Sequence, residues 1–123
     1  MAAKVELDIK ATEAAFVEAI HKETKKGWNN ISGLVAAQSK MMTQQAAWIA
    51  ESSAYGALKD DPDLRKMFAD QLASSVESLS RDIAALSILT VEQVWNAAVG
   101  VLWNAINKVI ASATGGLLAL PVL

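Results

Sequence analysis

Starting at Leu64, apolar residues return at Phe68, Leu72, Val76, Leu79, Ile83 and Leu86, at intervals of 4, 4, 4, 3, 4 and 3. That rhythm follows one face of a helix with about 3.6 residues per turn. Arg65, Lys66, Asp70, Glu77, Arg81 and Asp82 fall largely outside the stripe, so the pattern predicts an amphipathic helix packed against partners. Its start is marked locally. Gly56 closes the preceding helix, Asp61 stands at the N-cap, Pro62 at the first helical position, and Asp63 where the helix dipole favours negative charge.

Upstream, a first segment runs from about Asp8 to Lys26 with Phe16, Val17 and Ile20 on one face. Lys25 and Lys26 suit a helix C-terminus, Gly27 suits the position after it, and Asn29 or Asn30 suits the cap of the next helix. A competing reading exists. Val17, Ile20, Thr24, Trp28, Ile31, Val35, Gln38, Met42, Gln45, Ile49 and Ser52 keep the 3/4 spacing straight through Gly27 and Gly33. One helix over about 10–55 would carry that phase, at roughly 1 kcal/mol for each interior glycine. The broken version is preferred, because long uninterrupted helices are uncommon.

Downstream, "LTVEQ" sets Thr90 three residues before Gln93, a capping-box pattern that opens a last helix. That helix should reach about Ala113 and stop at Gly115-Gly116, leaving the apolar tail "LLALPVL". No tandem repeat is visible beyond the echo of "VWNAA" in "LWNAI". The expected fold is therefore all-α, an antiparallel bundle of three or four helices over about 8–26, 30–56, 62–88 and 91–113, the first two either separate or fused. One bundle domain would occupy 1–114, with an apolar tail over 115–123.

Composition changes this picture mainly through charge. Charged residues make up only 20% of the chain and are unevenly spread. After Glu92 only Lys108 is charged, and between Lys26 and Glu51 only Lys40. A small monomer normally covers its outward helix faces with Lys, Glu and Arg, so these segments are expected to meet something other than water. A net charge of −2 gives no excess of cations for phosphates, which argues against nucleic acid. There is no cysteine, hence no disulfide or thiol chemistry. "MAAKVELDIK" mixes both charge signs without an apolar core, so cytoplasmic synthesis without a classical signal peptide is expected.

The last helix is the most unusual segment. Trp95, Val99, Leu102, Ile106 and Ile110 cover one side, and Val94, Ala98, Val101 and Ala105 widen the apolar arc beyond what a single neighbouring helix needs. Gln93, Asn96, Asn104 and Asn107 gather on another side beside Lys108. Trp95 and Trp103 rise only about 12 Å apart, too close to mark both faces of a hydrocarbon slab about 30 Å thick. The longest uncharged runs are 15 residues each, short of the roughly 20 a span requires. Membrane contact is thus not favoured, although an in-plane helix or a multimer of short ones stays open.

Asn can both donate and accept across a protein contact, and Trp is enriched at interface hot spots. Gln38 and Gln45, seven apart on the stripe of the second segment, suit register-fixing pairs with a partner helix. The expected interface is accordingly Gln38, Met42, Gln45, Trp48, Trp95, Asn96, Val99, Leu102, Trp103, Asn104, Ile106, Asn107 and Ile110. The competing reading of the last helix is that its arc simply fills the monomer core.

Catalytic patterns are weak. Glu18 and His21 have the Glu-x-x-His spacing used in ferritin-like bundles. With one His in the chain, a second such motif could come only from another subunit, with Glu51 and Glu77 as further carboxylates. An exposed, solvated pair is the simpler reading. The three aspartates of "KDDPD" are explained by capping, and "ATGGLLAL" lacks the lysine of a phosphate loop. No enzyme and no cofactor are expected. The reading that suits the residues is a structural protein that forms a homo-oligomer or joins a larger particle such as a phage virion, tail or secretion assembly. The alternatives are a membrane-active helical protein, pore-forming or coating a lipid or polymer-granule surface, and a ferritin-like metal protein formed across a dimer.

Overall fold

The computed structural model describes residues 6–24, 27–113 and 117–121. Four helices account for most of them: α1 (Ile9–Thr24), α2 (Trp28–Tyr55), α3 (Pro62–Leu86) and α4 (Val91–Ala113). The connections between successive helices span three, six and four residues, short enough to fold each helix back antiparallel on the one before. The molecule is an all-α antiparallel helical bundle, as the periodicity predicts.

The ends follow local chemistry. The Asp8 carboxylate accepts from Ala11 N at 3.0 Å and the Asp61 carboxylate from Leu64 N at 3.0 Å, so each satisfies an N–H that the first turn leaves free. At α4 the capping box closes both ways: Gln93 N donates to Thr90 Oγ1 at 3.2 Å, and Thr90 N donates to Gln93 Oε1 at 2.9 Å. Gly27 settles the choice between one long helix and two. Its φ of 83° is left-handed, which ends the helical path where a residue with a Cβ would be strained. Gly27 is itself the N-cap of α2, so Asn29 and Asn30 lie inside the first turn and do not cap it. Lys25 and Lys26, and the Gly115-Gly116 stop, lie outside the described residues.

α2 and α4 form a central pair in contact along the bundle. α1 and α3 each pack against both members of that pair, and among the described residues they do not meet one another. α4 therefore has three helical neighbours. It buries Val94, Trp95, Ala98, Val99, Leu102, Trp103, Ile106, Val109 and Ile110. The buried side of α2 mixes the small residues Ser39, Thr43, Ala46, Ala47, Ala50, Ser53 and Ala54 with Ile31, Val35, Met42 and Ile49. The small side chains make room for neighbouring bulk, which keeps the interior close-packed.

Three of the polar residues in this core bond to their own helix. The hydroxyls of Thr24, Ser39 and Ser80 donate to the carbonyls of Ile20, Ala36 and Val76 at 2.9, 2.9 and 2.7 Å. The stripe expected on α2 is shifted accordingly: Ser39 is buried where Gln38 was expected, and Gln38 is only half-buried. On α3, Leu72, Val76, Leu79 and Ile83 are buried as the periodicity predicts, whereas Leu86 at the helix end is 50% exposed.

Thr43 and Ser53 are fully buried, and neither hydroxyl has a partner among the described residues. A buried hydroxyl without a bond loses its hydration and gains nothing in return. Thr43→Val keeps the shape and removes that loss, so it is expected to raise the free energy of unfolding by about 1 kcal/mol, measured by urea denaturation; a loss of stability would show that the hydroxyl is bonded in solution.

Trp103 is 1% exposed, so Trp103→Lys should abolish the cooperative thermal transition seen by circular dichroism. Retention of a native-like melt would place the indole outside the core.

Candidate interaction surface

The thirteen residues expected at an interface divide into two groups. Met42, Trp95, Val99, Leu102, Trp103, Ile106 and Ile110 are buried within the bundle. Their placement corrects the expectation. The arc of α4 is indeed too broad for one neighbour, but the additional neighbours are other helices of the same chain. Asn96, Asn104, Gln45 and Trp48 are exposed, and Gln38 and Asn107 are half-buried.

Trp48 is the largest of the exposed group, 48% accessible and in edge-to-face contact with Phe68 of α3 at a ring-centroid distance of 4.7 Å. Gln45, Trp48 and Ile49 of α2 and Phe68, Gln71 and Leu72 of α3 enclose a shallow cavity of about 180 Å³. One turn away from Gln45 and Gln71 lie Met41 and Met67, each 47% exposed. The face formed by Met41, Gln45, Trp48, Met67, Phe68 and Gln71 carries no charge. The spacing of Met41, Gln45 and Trp48 at 4 and 3 was visible in the chain. Its junction with Met67 and Phe68 was not, because it depends on how α2 and α3 pair.

Asn107 has a role that sequence reasoning missed. Its Nδ2 donates to Leu118 O at 3.0 Å, and its Oδ1 accepts from Leu118 N at 2.7 Å. The side-chain amide thus pairs with a backbone unit as a neighbouring strand would, and it fastens the tail across the bundle. Leu118 packs partly against the core, while Leu117 and Leu120 remain 68% and 61% exposed. Between this strap and α3 runs a groove of about 590 Å³, with Trp95 and Trp103 among its walls.

Two buried donors of residues in the groove wall, the indole N–H of Trp103 and the Nε–H of Arg65, have no partner among the described residues and are shielded from the groove itself. Arg65 uses Nη2 for Leu58 O at 3.1 Å and Lys59 O at 2.9 Å, which ties the α2–α3 turn to α3. Lys66 pairs with Asp70 at 2.7 Å and Arg81 with Glu77 at 3.1 Å. The Asp70 hydrogen bond and charge hold the Lys66 ammonium above its usual pKa. Among the described residues, Arg65 has no carboxylate partner.

Glu18 and His21 both lie on the exposed side of α1. The His21 imidazole stacks on the Trp28 indole at 4.3 Å and 20° between planes, bridging the α1–α2 turn. No group of three His, Cys, Asp or Glu side chains gathers at metal-binding distance among the described residues. No helix among them is long and apolar enough to cross a membrane. Comparison of the chain with known protein families, with curated proteins and with solved structures returns no match. The class the fold defines is thus a four-helix all-α bundle, and function has to be argued from its surfaces.

Asn107→Ala removes both tail bonds. The expected outcome is a loss of about 1 kcal/mol in unfolding free energy, together with faster protease cleavage near Leu117–Leu118 detected by mass spectrometry. Unchanged cleavage would show that the tail is held by other contacts.

Proposed function

We propose that the chain is a non-enzymatic assembly protein that associates with further copies of itself through the α2–α3 face. The observation that supports this reading is the half-exposed Trp48, seated on Phe68 in a face without charge. Exposed aromatic and methionine side chains around self-complementary amides suit an interface core: Trp and Met are enriched there, and charged residues are depleted. Gln45 and Gln71 each carry a donor and an acceptor, so a two-fold contact can pair them without desolvating a charge. The role is that of a subunit in a larger particle, and a virion, tail or secretion assembly suits it.

The experiment is multi-angle light scattering at micromolar concentration. The expected result is a species larger than the 13.1 kDa of one chain. Trp48→Lys should weaken association by about 30-fold or more, the effect of losing a hot-spot residue worth roughly 2 kcal/mol. Its helicity and melting should stay close to wild type, because the indole is half in solvent. A stable wild-type monomer would remove the proposal. An oligomer untouched by Trp48→Lys would move the contact elsewhere.

A further inference from the structure

We infer that the outward face of α4 is a second contact between copies of this chain, in which two α4 helices cross antiparallel about a two-fold axis at Gly100. This contact is separate from the α2–α3 face and does not rest on it. Three observations carry it. The first is register. Glu92, Asn96, Gly100, Asn104 and Lys108 recur every four residues and form one ridge along α4, with Gly100 half-buried and the other four exposed. The ridge is symmetric about its middle: Asn96 and Asn104 stand four residues to either side of Gly100, and Glu92 and Lys108 stand eight. A two-fold axis at Gly100 therefore sets Asn96 of one copy against Asn104 of the other, and Glu92 against Lys108.

The second observation is charge. Glu92 and Lys108 are the only charged residues of α4, and among the described residues neither is in an ion pair. They lie about 24 Å apart at helical rise, too far to meet within one chain. An antiparallel crossing gives each an opposite charge at both ends of the contact, whereas a parallel one would set like against like. The asparagines between them each donate and accept, so they pair across the axis without desolvating a charge. The third observation is the glycine. An interior glycine weakens a helix, and nothing in the chain requires this one, since a Cβ at Gly100 would meet no atom within 4 Å. Its use is outward: without a Cβ, two helix backbones approach closely where the axis passes.

The surroundings fit such a crossing. Ridges spaced by four on both helices interlock at about 50°, each lying in the groove beside the other. Beside this ridge, between α1 and α4, runs a furrow of about 510 Å³ whose walls include Ala11, Ala15, Val101 and Ala105. The partner ridge thus meets small apolar side chains and covers the part of the α4 arc that its own chain leaves half-buried. Glu6 and Asp8 line the same furrow, but Lys108 pairs with neither, and the Asp8 carboxylate caps α1. Away from the axis the two helix surfaces curve apart, and there the ridge carries its longest side chains, Glu92 and Lys108.

The test is light scattering at micromolar concentration on the Trp48→Lys variant, in which the α2–α3 face is silenced. That variant is expected to retain a species of twice the 13.1 kDa of one chain. Adding Gly100→Lys should reduce it to a monomer, because two long charged side chains then oppose each other on the axis. Its helicity by circular dichroism should be kept, since the site is open and lysine is a better helix former than glycine. In the same background Glu92→Lys or Lys108→Glu alone sets like charges together at both ends and should weaken the dimer about fivefold or more. The two reversals together exchange the charges and should restore it. A monomeric Trp48→Lys chain overturns the inference. So does a dimer that survives Gly100→Lys, and so does a double reversal no tighter than either single one. A wild-type oligomer untouched by Trp48→Lys but dissolved by Gly100→Lys removes the α2–α3 contact and supports this one.

Discussion

The contact between α2 and α4 is the constraint on which the remaining structure depends. α4 buries Trp95, Leu102, Trp103 and Ile106, and the buried side of α2 adds serine, threonine and alanine to Ile31, Val35, Met42 and Ile49. Small residues set among larger ones let the two helices run close together. With that pair in place, α1 and α3 find their seats in the two furrows it leaves, which is why each touches both central helices and neither touches the other. Among the hydroxyls in this core, those of Thr24, Ser39 and Ser80 turn back to carbonyls of their own helices.

The same constraint decides where function can reside. Three intramolecular neighbours cover most of the apolar arc of α4 and leave Val101 and Ala105 half-buried. Several exposed apolar groups lie along the two flanks of α3, while Ile9, Leu86 and Ile88 stand at or beside helix ends. On the flank shared with α2 stand Met67 and Phe68, with Trp48 opposite. On the flank shared with α4 and the tail stand Arg65, Ala69 and Ala73. The first is uncharged and shallow, which suits another protein surface; the second is a groove with Trp95, Trp103 and the tail among its walls.

Helix ends were legible because capping is local. Asp61 with Pro62, Thr90 with Gln93, and Gly27 each act within a few residues of themselves, and the structure uses all three to begin or break helices. Side-chain assignments were less legible. Ser39 and Gln38 are adjacent and both polar, and only the short hydroxyl can satisfy itself on its own backbone and enter the core. Asn107 looked like an intermolecular amide, yet it pairs with Leu118, eleven residues further along a chain that has doubled back. Trp48 was visible as an unusual residue on a charge-poor segment, but its contact with Phe68 was not.

The sequence by itself therefore determined the all-α class, the helical stretches and the starts of α3 and α4, because periodicity and capping depend on neighbours three or four residues away, and it left open whether the first two stretches form one helix. It also determined that a charge-poor last helix had to be covered. Which surface covers it was decided only by the tertiary structure. An apolar arc carries no address: burial against another helix of the chain and burial against a partner remove the same area from water. Only the path of the chain, with α1, α2 and α3 placed around α4, distinguishes the two.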